Sequence, residues 1–202
     1  MAPAHSAAGT ATPDPQTGQP VLVLGDSISA AYGMDLEEGW VALLAKRLQG
    51  DGGAPEVVNA SISGDTSAGG LRRLPALLAE HEPRLLVIEL GGNDGLRGYP
   101  TGKLRDNLVA MARLASEAGA QVLILPMEIP PNYGPRYTSA FRQAFRDAAA
   151  ASGARLGPFI LQDIATRPEL MQDDGIHPTA EAQPLIADRL APVLASLLGA
   201  DL

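Results

Sequence analysis

A chain of 202 residues without a single cysteine is long enough to bury one core unaided by disulfides, and its cysteine count leaves the cellular compartment open. Its net charge of −8, from 15 basic and 23 acidic residues, argues against a nucleic-acid or anionic-membrane surface, which needs clustered Lys and Arg. No apolar run approaches the roughly 20 residues of a membrane span, so no stable membrane insertion is expected.

Residues 1–20, MAPAHSAAGTATPDPQTGQP, are rich in Ala, Pro, Thr and Gly and lack periodicity. They are read as a disordered tail ahead of one domain over 21–202. The tail has neither the basic start nor the apolar stretch of a signal peptide, which implies either a cytoplasmic protein or a signal already removed.

Beyond it, continuous apolar runs alternate with stretches of helical period. VLVLG (21–25) predicts a strand buried on both faces and ending at Gly25-Asp26-Ser27. Ser27 then opens a short helical turn, its hydroxyl and N–H at the positive end. A helix over 38–48 leads to a strand over 55–60 and the exit Ser-Ile-Ser-Gly-Asp-Thr (61–66). A helix over 67–80, a strand over 84–91 and the exit Gly-Gly-Asn-Asp-Gly (91–95) follow. The glycines of 91–102 predict a mobile loop that closes over substrate. A helix over 101–118, a strand over 121–127, the segment Met-Glu-Ile-Pro-Pro-Asn-Tyr (127–133) and a helix over 139–152 continue the alternation. A weaker strand over 154–160, the string Asp-Asp-Gly-Ile-His-Pro (173–178) and a helix over 182–198 complete it. Strands alternating with helices imply right-handed crossovers, hence an α/β fold: a three-layer α/β/α sandwich around a parallel sheet of about five strands.

Ligands of such a sheet sit outside the carboxyl ends of the strands, where small and hydrogen-bonding residues recur here at every exit. The plainer reading of Ser27 is a helix N-cap, but no strong helix follows at once and a cap does not explain Gly25. A serine nucleophile needs a base, and the chain has 3 histidines. His5 lies in the tail and His81 among acids at a helix end, which leaves His177. Asp174 precedes it by a spacing that brings carboxylate and imidazole together in one turn. Asn93 and Gly64 would each be an ordinary turn residue if taken singly. On one rim with Ser27 they offer the amide and the backbone N–H that an oxyanion hole requires.

Gly25-Asp26-Ser27, Gly64, Gly91-Gly92-Asn93-Asp94 and Asp174-Gly175-Ile176-His177 resemble the four sequence blocks of the SGNH, or GDSL-type, hydrolases. The longer strings NASISGDTSAGGLRRLPALL, ELGGNDGLRG, NYGPRY and MQDDGIHP are similar to the branch containing bacterial acyl-CoA thioesterases, lysophospholipases and arylesterases. The tail and residues 160–169 carry no diagnostic string. The resemblance implies a flavodoxin-like SGNH hydrolase fold with Ser27, His177 and Asp174 as nucleophile, base and orienter. Ser27 N–H, Gly64 N–H and the Asn93 amide receive the oxyanion, with no metal or organic cofactor. It further implies small acyl or aryl esters, thioesters or lysophospholipids as substrates, in the periplasm or secreted; a monomer is the default expectation. The substrate walls are expected from Leu96 and Tyr99 on one loop and Ile129, Pro130, Pro131, Tyr133 and Tyr137 on the other. A nucleotide-binding module is the alternative of another class. It lacks both GxGxxG and GxxxxGK[ST], and Asp26 would repel phosphate. An α/β-hydrolase needs GxSxG, whereas Ser27 sits in GDSIS. A carbohydrate acetyl esterase, or a binding relative without catalysis, shares the fold.

Overall fold

The computed structural model describes residues 18–48 and 55–199; most of the sequence-defined tail therefore lies outside the described residues. Five parallel strands form one sheet in the order β2-β1-β3-β4-β5: β1 (Val21–Gly25), β2 (Val57–Asn59), β3 (Leu85–Glu89), β4 (Gln121–Ile124) and β5 (Arg155–Leu156). β1 and β3 pair along their whole length, from Val21 on Leu85 to Gly25 on Glu89, and every residue of both is buried. These are the runs whose unbroken apolar character required helices on both faces.

The helices are α1 (Trp40–Leu48), α2 (Ser67–His81), α3 (Gly92–Leu96), α4 (Thr101–Glu117), α5 (Pro135–Ser152) and α6 (Gln183–Leu198). α1 packs on α6, while α4 packs between α2 and α5, which accounts for the two outer layers. The core between them is carried by Trp40, Phe141, Phe145 and the leucines and isoleucines of the strands. The strand order places a topological switch point between β1 and β3, the crevice where open α/β sheets take ligands. Gly25-Asp26-Ser27 and Gly91-Gly92-Asn93 leave the sheet on its two sides.

Three expectations are corrected. The outer strands are short and not buried on both faces: β2 is half-buried at best, and Arg155 and Leu156 of β5 are exposed. Each has one neighbour only, and β5 ends where Gly157 gives its N–H to Ile124 O and Pro158 has none to give. Residues 27–33 form successive turns, with Ala30 N–H on Asp26 O closing one helical turn around Ser27, as expected, and Tyr32 N–H on Ser27 O following it. The glycine-rich segment is no free loop at its start, for Gly92–Leu96 is helical. A side chain on Gly95 would stand 2.6 Å from Ile129 and 2.7 Å from Phe141, so this glycine answers to close packing. α5 also begins earlier than its apolar period shows, because Pro135 supplies a preset first turn after Gly134.

Candidate active site

The first strand's exit is shaped from below. Gly25 leaves room for Ser29 and Glu89, whose oxygens would lie 2.6 Å and 2.8 Å from any β-carbon there. The next turn lifts Ser27 to the rim, where its hydroxyl stands 2.8 Å from His177 Nε2. His177 Nδ1 lies 2.6 Å from Asp174 Oδ2, while Asp174 Oδ1 accepts the N–H groups of Ile176 and His177 at 2.9 and 3.0 Å. An antiparallel bridge between Met171 and Pro178 pinches this loop into the tight turn that makes the spacing work. With Nδ1–H directed at Asp174, Nε2 is the acceptor for the Ser27 hydroxyl, the relation a Ser-His-Asp triad needs. Burial raises the Asp174 carboxyl, but the bonds from His177 and Ile176 outweigh it and lower its pKa to about 2. Asp174 stays ionised wherever the enzyme can be assayed.

α3 ties the neighbouring exits to this one. Asn93 Nδ2 donates to Asp26 Oδ2 at 3.2 Å, which leaves its second N–H for the cavity it lines. Asp94 accepts Ser67 N–H and hydroxyl at 2.8 and 2.6 Å at the start of α2, and Arg97 donates to Gly64 O at 3.1 Å. Gly64 has φ +79, and among the described residues neither its N–H nor that of Ser27 meets a protein acceptor. Ser27, Gly64 and Asn93 line a common cavity of about 1010 Å3.

The structure brings Ser27, Asp174 and His177 together and sets Gly64, Asn93, Leu96, Ile129, Pro130 and Pro131 around the same cavity. Tyr99, Tyr133 and Tyr137 do not line it. The Tyr133 hydroxyl turns to Leu96 O at 2.8 Å and that of Tyr137 to Tyr99 O at 2.6 Å, so the tyrosines lash the two loops together. A third wall comes from Phe159, Leu161, Ala165, Thr166 and Met171, of which Leu161, Ala165 and Thr166 lie in the region without a diagnostic string. Its signal was the apolar Phe159-Ile160-Leu161, whose first two residues were absorbed into the expected fifth strand. Tyr32, whose ring lies 4.3 Å from that of His177, gave no sequence signal beyond its place after the serine.

Beneath the rim sit two buried acids. Glu89 Oε2 accepts the Ser29 hydroxyl at 2.6 Å and Asp26 N–H at 3.3 Å, while its Oε1 has no partner among the described residues. Burial, then the neighbouring Asp26 charge, drives the Glu89 carboxyl well above the usual range. Burial likewise raises Asp26 to about 6, against bonds from Ile28 N–H and Asn93. An acid raised by folding stabilises the fold below its unfolded pKa and loses that contribution as pH rises through its folded value. Glu89→Gln keeps an oxygen for both donors and cannot ionise. Its Tm relative to wild type is expected to rise between about pH 5 and about pH 8, by about 3 °C or more. An identical difference at both pH values would show that folding does not raise the Glu89 pKa.

The GDSL-like lipase/acylhydrolase family profile matches residues 23–184, and the chain belongs to that family. It is a hydrolase acting on esters. Esterase TesA of Pseudomonas aeruginosa is 56% identical over 180 residues, covering 89% of this chain and 90% of that protein. The arylesterase of Vibrio mimicus is 46% identical, with 89% and 90% covered. Thioesterase 1/protease 1/lysophospholipase L1 of Escherichia coli K12 is 45% identical, with 90% and 86% covered. The crystal structure of TesA superposes with a TM-score of 0.86 at 55% identity, covering 89% of this chain and 99% of that one. The esterase EstA of a Pseudoalteromonas species, inhibited by monoethylphosphonate, gives 0.86 at 45% identity, with 90% and 99% covered.

Proposed function

We propose that Ser27 Oγ attacks the acyl carbonyl of an ester or thioester while His177 Nε2 takes its proton and Asp174 holds the imidazole. The tetrahedral oxyanion is received by Ser27 N–H, Gly64 N–H and the free N–H of Asn93. His177 then hands its proton to the departing alcohol or thiol, leaving an acyl-enzyme. A water, deprotonated by His177, attacks the ester carbonyl, and collapse returns Ser27 and releases the acid. The observation that carries this reading is the unbroken line Asp174–His177–Ser27 at the mouth of a cavity where two unengaged N–H groups stand. Inhibition of EstA by a phosphonate, a tetrahedral acyl mimic, supports the same chemistry.

Acyl and aryl esters, thioesters and lysophospholipids form the substrate class, as the names of the relatives suggest. Leu96, Ile129, Phe159, Leu161 and Met171 offer more apolar wall than an acetyl group can use, which favours a longer acyl chain over acetylated sugars. Every group in the site comes from one chain, so a monomer suffices. We infer a periplasmic or secreted setting from the family branch; among the described residues no helix is long and apolar enough to cross a membrane.

The test is a panel of p-nitrophenyl esters from acetate to palmitate, with palmitoyl-CoA and lysophosphatidylcholine. kcat/KM is expected to rise about fourfold per methylene until the cavity is filled, since each buried methylene contributes about 0.8 kcal/mol. Leu96→Ala and Phe159→Ala should lower kcat/KM roughly tenfold for octanoate and far less for acetate. A flat chain-length profile, or equal losses for both esters, contradicts an acyl groove at this place.

A further inference from the structure

Ser27 and His177 are held by very different scaffolds. Ser27 stands directly on β1, whose residues are all buried. His177 rides on residues 157–182, a segment without an α-helix or a strand between β5 and α6. Within that segment Gln172 N–H donates to His177 O at 2.8 Å, Gly175 N–H to Gln172 O at 2.8 Å and Thr179 N–H to Leu170 O at 2.9 Å. These bonds shape the histidine loop but do not join it to the nucleophile.

The Gln172 amide makes the join. Its Nε2 donates to Tyr32 O at 2.8 Å and to Pro178 O at 3.0 Å, so its two N–H donors go to carbonyls of two different segments. Tyr32 N–H in turn donates to Ser27 O at 3.1 Å, and the Tyr32 ring lies against the His177 imidazole at 34°. A ring of contacts results: Ser27, Tyr32, Gln172, His177 with Pro178, and back to Ser27 through the 2.8 Å contact with Nε2. Apart from that contact, the bond from Gln172 to Tyr32 is the one hydrogen bond among the described residues that joins 26–35 to 157–182. Gly33 completes the fit, for a β-carbon there would lie 2.6 Å from Gln172 Oε1. Both Nε2 partners are carbonyl oxygens, which fixes the orientation of the amide.

We propose that Gln172 is a positioning residue, whose amide fastens the nucleophile turn to the histidine loop and so sets the separation of Ser27 Oγ from His177 Nε2. The inference rests on the reading of these two residues as nucleophile and base. Gln172 does not line the cavity, so its loss acts on the reaction and not on substrate binding. A misplacement of one ångström costs about 10²-fold in rate, which sets the scale of the effect.

Gln172→Met keeps the length of the side chain and removes both donors. kcat is expected to fall about 10- to 100-fold with KM within about threefold of wild type. The variant should still reach one fluorophosphonate per chain, at a rate reduced in step with kcat. An unchanged kcat overturns the proposal. So does a loss that matches the fraction of chains unable to label, because Gln172 would then serve folding alone. If Gln172→Met is not recovered folded, Gln172→Asn retains an amide too short to reach both carbonyls, and wild-type kcat in that variant overturns the proposal equally. Ser27→Ala is run beside them. Turnover by Ser27→Ala removes the underlying site reading, whereas an inactive Ser27→Ala beside a fully active Gln172→Met removes only the fastening.

Discussion

Ser27→Ala is expected to lower kcat by roughly 10⁵- to 10⁶-fold and to end covalent labelling by a fluorophosphonate, because the atom that forms the acyl-enzyme is gone. The fold should survive. Ser27 is buried, but among the described residues its hydroxyl makes no hydrogen bond other than that to His177 Nε2. Removing it leaves Asp174 and the His177 imidazole bonded to each other and the Gly25 turn intact, so Tm should move by only a degree or two. A Ser27→Ala protein that still turns over ester at more than about one part in a thousand places the nucleophile elsewhere.

Asn93→Ala separates the proposed oxyanion donors from the proposed triad. It keeps Ser27, His177 and Asp174 but deletes one preorganised N–H, so kcat should fall by roughly 10² to 10³, the cost of one such donor. KM should change little, since the proposed partner of the amide is charge that exists only in the transition state. Labelling should persist, slowly. The variant also frees Asp26 Oδ2, which Asn93 Nδ2 now occupies at 3.2 Å, and leaves a buried carboxylate with one bond fewer. Some loss of Tm accompanies the kinetic defect. A protein that unfolds outright would make Asn93 a structural turn residue; one that retains most of its kcat would leave the oxyanion to Gly64 and Ser27 alone.

The parts of this site legible in the sequence are those set by local rules. Four apolar residues before Gly25 read as a strand buried on both faces, and strand–helix alternation places its exit on the ligand rim. Asp174 and His177 are three residues apart, so one pinched turn brings their side chains to 2.6 Å. What the sequence concealed depends on where side chains turn once the layers have packed. Tyr99 and Tyr133 sit on the right loops, yet the Tyr133 hydroxyl closes on Leu96 O, and neither ring lines the cavity. Gly-Asn-Asp-Gly-Leu reads as a loop because glycine costs about 1 kcal/mol in a helix. Here Phe141 and Ile129 press so closely on Gly95 that no other residue fits, and packing overrides propensity. Phe159 looks like a strand residue, but β5 stops at Leu156 and releases it to the cavity wall. Glu89 ends β3 like any strand residue. Its burial against Ser29 and Asp26 follows from the register of β3 on β1, a long-range fact.

The proposed mechanism forms its covalent intermediate on one serine, activated by His177. It is tested most directly by treating the enzyme with a fluorophosphonate and locating the adduct by mass spectrometry of its peptides. One adduct per chain on Ser27, formed more slowly when His177 is replaced by alanine, is the expected result. An adduct on Ser29, Ser61 or Ser63 with Ser27 unmodified, or a labelling rate indifferent to His177, would contradict it.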